Sequence, residues 1–245
     1  MIKYQNVSMS YPDSGKVLDN LNFNINNGEF FVIVGPSGSG KTTTLKLINR
    51  LNKENEGDIF LNDKNIRDYP LRELRLNMGY VLQEIALFPN MTVGENISLI
   101  PEMKKMDKKK IKETVDRLLK SVDLDPKDYK NRLPEDLSGG EKQRISIARI
   151  FLKDPKIIIL DEASAAADPE NEYELQRAFK DLIKNRTVIM IAHRLSSIRG
   201  VDEILVVEDG RVIERGSHEK LMKVCGSYKK YVNLYESANE WRVNE

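Results

Sequence analysis

The sequence predicts an α/β fold built on a parallel sheet, and three observations predict it. The short β-branched run Phe30-Phe31-Val32-Ile33-Val34 leads into Gly35-Pro36-Ser37-Gly38-Ser39-Gly40-Lys41-Thr42-Thr43, and the amphipathic stretch Thr44–Leu51 follows. Strand, G-x-x-x-x-G-K-[ST] and helix, in that order, are the phosphate-binding loop in its required context. The continuous apolar runs Ile157–Leu160, Thr187–Ile191 and Glu203–Val207 read as strands buried on both faces, with a helical pattern at Asn171–Ile183 between the first two. From about Glu84 to Phe151 the pattern is helical without strands, which marks an all-helical insertion.

Composition bounds the reading. The chain has 245 residues, 40% hydrophobic and 31% charged, which describes a soluble globular protein of one large domain or one core with a sub-domain. A net charge of +1 gives no global field toward nucleic acid or an acidic partner. The single cysteine, Cys225, excludes an internal disulfide and fits a reducing compartment. No apolar run approaches the roughly 18–20 residues that span a bilayer. Met1-Ile2-Lys3-Tyr4-Gln5 lacks the apolar core of a signal peptide, so a cytoplasmic location is expected.

In order along the chain, Ile2–Val7 reads as a strand, Tyr11–Gly15 as a turn and Val17–Ile25 as a second strand region. Asn26-Asn27-Gly28-Glu29 turns the chain into the strand before the glycine-rich loop. Asp58–Leu61 and Met78–Leu82 are further strands, with a short helix at Leu71–Leu76 between them. Ile111, Val115, Leu118 and Leu119 fall at i, i+4, i+7 and i+8, an apolar helix stripe. The basic run Lys104–Lys110 before it reads as a solvated helix face, with contact to anionic lipid headgroups the alternative. Glu208–Arg211 is a hairpin turn, and Ser217 caps a helix carrying Glu219 in its first turn. His218 is expected to sit idle in that surface turn, and Tyr228–Trp241 to form a terminal helix.

The residue types in the loop state its chemistry. Gly35, Gly38 and Gly40 let the backbone curl so that successive N–H groups of the loop point inward and make an anion nest. The helix N-terminus adds its positive end, Lys41 reaches the β- and γ-phosphates, and the Thr42 hydroxyl is suited to Mg²⁺. A second motif, Lys156-Ile157-Ile158-Ile159-Leu160-Asp161-Glu162, is an apolar strand ending in carboxylates. In the Walker B arrangement Asp161 orders Mg²⁺ and Glu162 polarises the attacking water as general base.

A third motif, Leu137-Ser138-Gly139-Gly140-Glu141-Lys142-Gln143-Arg144, opens a helix and resembles the LSGGQ-type signature of ATP-binding cassette (ABC) ATPases. A serine, two glycines and a helix N-terminus again suit a phosphate. The resemblance covers residues 2 to about 240. It implies a P-loop NTPase (RecA-like) core at 1–83 and 152–245, with an N-terminal antiparallel β subdomain and an inserted all-helical subdomain at 84–151. It further implies ATP and Mg²⁺ as ligands, and a head-to-tail dimer in which Ser138, Gly139 and Gly140 serve the opposite subunit's ATP. Gln83 matches the Q-loop and a place near the metal, Tyr11 the aromatic residue that stacks on adenine, with Val17 beside it. His193 matches the switch histidine that senses the γ-phosphate. The D-loop departs from the usual Ser-Ala-Leu-Asp: Ala165-Ala166-Ala167-Asp168 lacks the serine hydroxyl while Asp168 remains.

Within the family the halves differ in style. Met78–Ile97 and Asp123–Gly140 look like importer ATPases, nearest those for glycine betaine, carnitine and choline, whereas 161–171, 191–198, 208–221 and the tail look like exporter ATPases. This gives the expectation of a recombined or engineered cassette with a seam at about 136–155, against a natural cassette of mixed style. The resemblance implies integral membrane transporter subunits as partners, received by residues 83–136, and a peripheral place on the cytoplasmic face of the membrane. The rival classes are a soluble ABC protein acting on nucleic acid, disfavoured by a single cassette of near-neutral charge, and a non-catalytic scaffold.

Overall fold

Strand β1 (Ile2–Tyr11) turns back into β2 (Gly15–Ile25), and β3 (Phe30–Val34) then feeds the glycine-rich loop and α1 (Lys41–Ile48). There follow β4 (Glu56–Leu61), β5 (Lys64–Asn65), α2 (Leu71–Leu76) and β6 (Met78–Val81). Helices α3 (Val93–Met103), α4 (Lys108–Ser121), α5 (Pro126–Tyr129) and α6 (Gly139–Lys153) come next. The described chain ends with β7 (Ile157–Asp161), β8 (Thr187–Ile191), β9 (Glu203–Glu208), β10 (Arg211–Gly216), α7 (His218–Lys223) and a helical stretch at 227–234. The computed structural model describes residues 1–13, 15–81, 87–103, 105–161, 185–192 and 200–234. The expected helix at Asn171–Ile183 and the tail beyond 234 lie outside them. The chain divides into two compact units, Met1–Arg75 with Arg186–Glu245, and Leu76–Asn185.

In the first unit, β2, β1, β4 and β5 form an antiparallel sheet in that order. The expected N-terminal antiparallel layer is this sheet. A second sheet sets β3 between β8 and β9, parallel to both, with β10 returning antiparallel on β9. Val32, Ile33, Val188, Ile189, Leu205 and Val206 are all buried, as apolar strands of a covered parallel sheet must be. Tyr4, Phe23 and Phe31 stack in series, with ring centroids 4.3 and 5.9 Å apart. The Tyr4 hydroxyl reaches over to donate to the Thr44 carbonyl at 2.7 Å, tying β1 to α1.

Three expectations need correction here. Helix α1 runs Lys41–Ile48, not Thr44–Leu51. Gly40, at φ 98°, turns the loop directly into the helix, and Arg50, at φ 54°, ends it in the left-handed region. The basic run is not one helix face, because Asp107 caps α4 by accepting from Lys109 N and Lys110 N at 3.0 and 3.1 Å. His218 is not idle: its Nδ1 lies 2.7 Å from the Tyr228 hydroxyl, edge-on to that ring. Tyr228 in turn packs in a core with Val34, Ile204, Val206, Leu221 and Val232.

In the second unit, β6 and β7 pair in parallel, with Tyr80 opposite Ile159 and Val81 opposite Leu160. Helices α3, α4 and α6 pack on one another, and α6 also covers β6. Gly79 permits that approach, since a Cβ there would lie 2.8 Å from Ile150 Cγ2 and 2.9 Å from Pro155 Cγ. The α4 stripe Ile111, Val115, Leu118 and Leu119 is buried as the periodicity requires. Asn96, 1% exposed, exchanges hydrogen bonds with Phe88 and donates to the Met91 and Thr92 carbonyls, fixing the loop before α3.

Candidate nucleotide site

The first unit presents Gly35–Thr43 at the carboxyl end of β3, where open α/β sheets gather ligands. Gly35 has φ 151°, Gly38 79° and Gly40 98°, so the loop uses its glycines for backbone that other residues resist. Gly35 is needed for space as well: a Cβ there would lie 2.0 Å from the Val207 carbonyl oxygen. Gly210 N donates to the Ser39 carbonyl at 3.2 Å, so the turn between β9 and β10 braces the loop from outside. Pro36, Ser37 and Gly38 are exposed at the rim.

Three features of this loop await an anion. Helix α1 opens with no side-chain cap and no acidic residue in its own first turn, so its positive end faces the loop. The Lys41 ammonium folds back to donate to the Gly35 and Pro36 carbonyls at 2.9 and 2.7 Å. The Ser39 hydroxyl, in a residue 3% exposed, has no hydrogen-bond partner among the described residues. A buried hydroxyl without a partner costs free energy that a ligand oxygen would relieve.

Beside the loop, the Tyr11 hydroxyl lies 3.4 Å from Thr43 Oγ1, which puts the half-buried ring at the loop's flank. Val17 touches the loop through its backbone: a Cβ on Gly40 would lie 3.1 Å from the Val17 carbonyl oxygen.

In the second unit Asp161 ends β7 and is 2% exposed. Tyr80 donates to its Oδ2 at 2.9 Å. Burial, and after it the Asp161 carboxylate, raise the Tyr80 phenol well above its ordinary value, so it stays a donor. Ser138 is the N-cap of α6 in a capping box: its Oγ accepts from Glu141 N at 3.3 Å, and Ser138 N donates to Glu141 Oε2 at 2.7 Å. Tyr129 donates to Glu141 Oε1 at 2.7 Å. Although burial works the other way, these hydrogen bonds from Tyr129 and Ser138 hold the Glu141 carboxyl below its ordinary range. Ser138 and Gly139 are exposed and Gly140 is buried.

A protein-family model described as ABC transporter matches residues 18–165, from β2 through the phosphate loop and signature to Asp161. The chain belongs to the ABC transporter family. The choline transport ATP-binding protein OpuBA of Bacillus subtilis is 40% identical over 91% of this chain, which spans 59% of that protein. ABC transporter B family member 13 of Arabidopsis thaliana is 43% identical over 96% of this chain, which spans 19% of it. Among solved structures, the ATP-binding cassette MJ0796 in a dimeric post-hydrolysis state with ADP and Pi has a TM-score of 0.79. It is 32% identical and covers 89% of this chain and 98% of its own. The choline-transport relative and the plant B-family relative each align over nine tenths or more of this chain, so a recombined cassette finds no support in them.

Gln83, Glu162, Asp168 and His193 lie outside the described residues. The Thr42 hydroxyl and Asp161 carboxylate are hard oxygen donors, the chemistry Mg²⁺ takes when it shares its ligands with phosphates and water. On that ground the donor set fits the metal. Sequence reasoning missed Tyr80 and Gly210. Tyr80 touches Asp161 only through the β6–β7 register, and Gly210 reaches Ser39 only through the β9–β10 hairpin.

Proposed function

We propose that the chain is the nucleotide-binding cassette of a membrane transporter, which binds Mg²⁺-ATP, closes head-to-tail on a second copy and hydrolyses the nucleotide. The observation that carries this reading is the phosphate loop, with its helix N-terminus, inward lysine and buried Ser39 hydroxyl that has no partner among the described residues. A relative of 32% identity solved as a dimer with ADP and Pi supports it.

In this reading Lys41 exchanges its two loop carbonyls for phosphate oxygens, and the Ser39 hydroxyl gains a phosphate partner. Tyr11 stacks on the adenine, with Val17 beside it. Thr42, Asp161 and Gln83 hold Mg²⁺, which when bound offsets charge on the phosphates. Glu162 takes a proton from water as its oxygen bonds to the γ-phosphorus and the bond to the bridging oxygen breaks. His193 and Gln83 sense the γ-phosphate, and Ser138, Gly139, Gly140 and Asp168 complete the partner's site.

Residues 83–136 receive the membrane subunits on the cytoplasmic side, and the cargo is a quaternary amine. The choline-transport name of one relative and the carnitine and osmoprotectant names of others support that cargo. An exporter cassette is the second reading, favoured by the likeness to a bacterial Atm1-family ABC exporter, 33% identical with a TM-score of 0.82.

The test is steady-state ATP hydrolysis by the purified chain with its size measured in ATP. The wild type should hydrolyse and dimerise. Glu162→Gln should bind ATP, turn over at least about a hundredfold more slowly and accumulate dimers, whereas Lys41→Ala should lose ATP affinity by about tenfold or more. Undiminished turnover in Glu162→Gln would remove Glu162 from the base role, and no turnover in the wild type would favour a scaffold.

A further inference from the structure

The side-chain amide of Asn52 donates to the Tyr11 hydroxyl at 2.5 Å. The same Nδ2 faces Met9 Sδ at 4.0 Å. Sulfur is an acceptor, so both contacts agree on which end of the amide carries the hydrogens. The Tyr11 hydroxyl also lies 3.4 Å from Thr43 Oγ1, a contact in which either hydroxyl can donate. A polar relay results, from Asn52 through Tyr11 to Thr43.

Both ends of this relay are anchored. Thr43 stands in the first turn of α1, two residues after Lys41, and is 8% exposed. Asn52 is placed by the far end of the same helix. After Arg50 takes its left-handed turn, Leu51 N and Asn52 N both donate to the Lys46 carbonyl, at 2.9 and 3.1 Å. The strap then ties to β1, the strand that carries Tyr11. Asn55 N donates to the Ser8 carbonyl at 3.0 Å, and Ser10 N donates to Asn55 Oδ1 at 2.7 Å. Helix α1 therefore grips the Tyr11 phenol from its first turn and from the segment beyond its last.

We infer that Asn52 is a positioning residue for the nucleobase: its amide pins the Tyr11 phenol against Thr43 and so presents the ring as a preformed stacking face beside the phosphate loop. This rests on the nucleotide reading above. A half-exposed phenol without such a tie samples several rotamers and must lose them when a base arrives; the tie removes that cost before binding. The effect belongs to the base alone, because neither Asn52 nor the Tyr11 hydroxyl is among the groups assigned to the phosphates.

Calorimetric titration separates the two ligand halves, using ATP and inorganic triphosphate against wild type, Tyr11→Phe, Asn52→Ala and the double variant, with melting curves to confirm folding. We expect Asn52→Ala to weaken ATP roughly three- to tenfold, the worth of one hydrogen bond, and to leave triphosphate affinity within about twofold. Tyr11→Phe should do the same, and the double variant should be no weaker than either single one, since the two changes remove one bond. A wild type that binds neither ligand overturns the nucleotide reading and this inference with it. A wild type that binds ATP no more tightly than triphosphate overturns base stacking by Tyr11. If the wild type prefers ATP, then unchanged ATP affinity in Asn52→Ala, equal losses for both ligands, or additive losses in the double variant overturn the role of Asn52 alone.

Discussion

The Tyr80 hydroxyl donates to the Asp161 carboxylate at 2.9 Å across the parallel pair of β6 and β7. Tyr80 stands opposite Ile159, and Asp161 follows two residues later on the same face, so strand register alone brings phenol and acid together. Asp161 is 2% exposed, and a buried carboxylate needs such donors. Tyr80→Phe keeps the ring and removes the donor. We expect a loss of about 1.5 kcal/mol in urea unfolding, the scale of a hydrogen bond to a charged group. The same variant should need more Mg²⁺ to reach half-maximal ATP affinity while binding Mg²⁺-free ATP as before. Wild-type behaviour in both measurements would mean that Asp161 is held without Tyr80.

The glycines of the phosphate loop do unequal work, and substitution should separate them. A Cβ on Gly35 would lie 2.0 Å from the Val207 carbonyl oxygen, and one on Gly210 would lie 2.3 Å from the Val17 carbonyl oxygen. Gly38, at φ 79°, has open space around it and would carry backbone strain only. Gly38→Ala should therefore cost about 1–2 kcal/mol, whereas Gly35→Ala and Gly210→Ala add a backbone collision worth about 1–3 kcal/mol more. Thermal melts should rank them in that order, the last two melting lower by about 2–4 °C for each further kcal/mol. Equal melting of all three would contradict the close packing of Gly35 on Val207 and of Gly210 on Val17.

Much of this was legible in the sequence because the motifs are contiguous. Nine successive residues, Gly35–Thr43, state their own geometry, and the apolar runs at β3, β7 and β8 state theirs. What was not legible depends on pairing between distant segments. Tyr80 is one aromatic in a strand until β6 is registered on β7, and Gly210 is one turn glycine until its N–H meets Ser39. Asn52 lies 41 positions from Tyr11, and the fold of α1 and β1 links them. The ends of α1 were misread because glycine at 40 and the left-handed Arg50 override the apolar spacing that placed the helix at Thr44–Leu51.

Ser138 caps α6 and is proposed to serve a second copy's site, and one variant should separate the two. In this chain its hydroxyl caps α6, while Glu141 returns a bond to Ser138 N and accepts one from Tyr129. Loss of such a cap costs about 1 kcal/mol, so Ser138→Ala should show a stability loss of that size. If the signature also closes a second copy's site, Ser138→Ala should bind ATP as a monomer with unchanged affinity and form fewer ATP-dependent dimers. Sedimentation in ATP distinguishes the two. A full yield of dimers would restrict Ser138 to the cap.

Alkaline pH should release the segment after α7. Burial pushes the Tyr228 phenol up to about 12, and burial followed by its bond to Glu208 does the same for Tyr231. Both exceed the ordinary value of 10.0, so the fold favours their protonated forms. Unfolding frees them to ionise near 10; their contribution is complete below that pH and fades as pH climbs toward 12. Tyrosinate absorbance should therefore rise in two stages, with these phenols in the later one, and protection of the amides at 227–234 should fall with it. Glu208 begins the turn whose Gly210 N–H holds the Ser39 carbonyl, so loss of the Tyr231 contact should also loosen the phosphate loop. Tyr231→Phe removes one ionisable phenol. We expect it to melt lower than wild type at pH 7 and to lose less than wild type between pH 10 and 12. A variant whose stability fell in parallel with wild type across that window would take Tyr231 out of the transition.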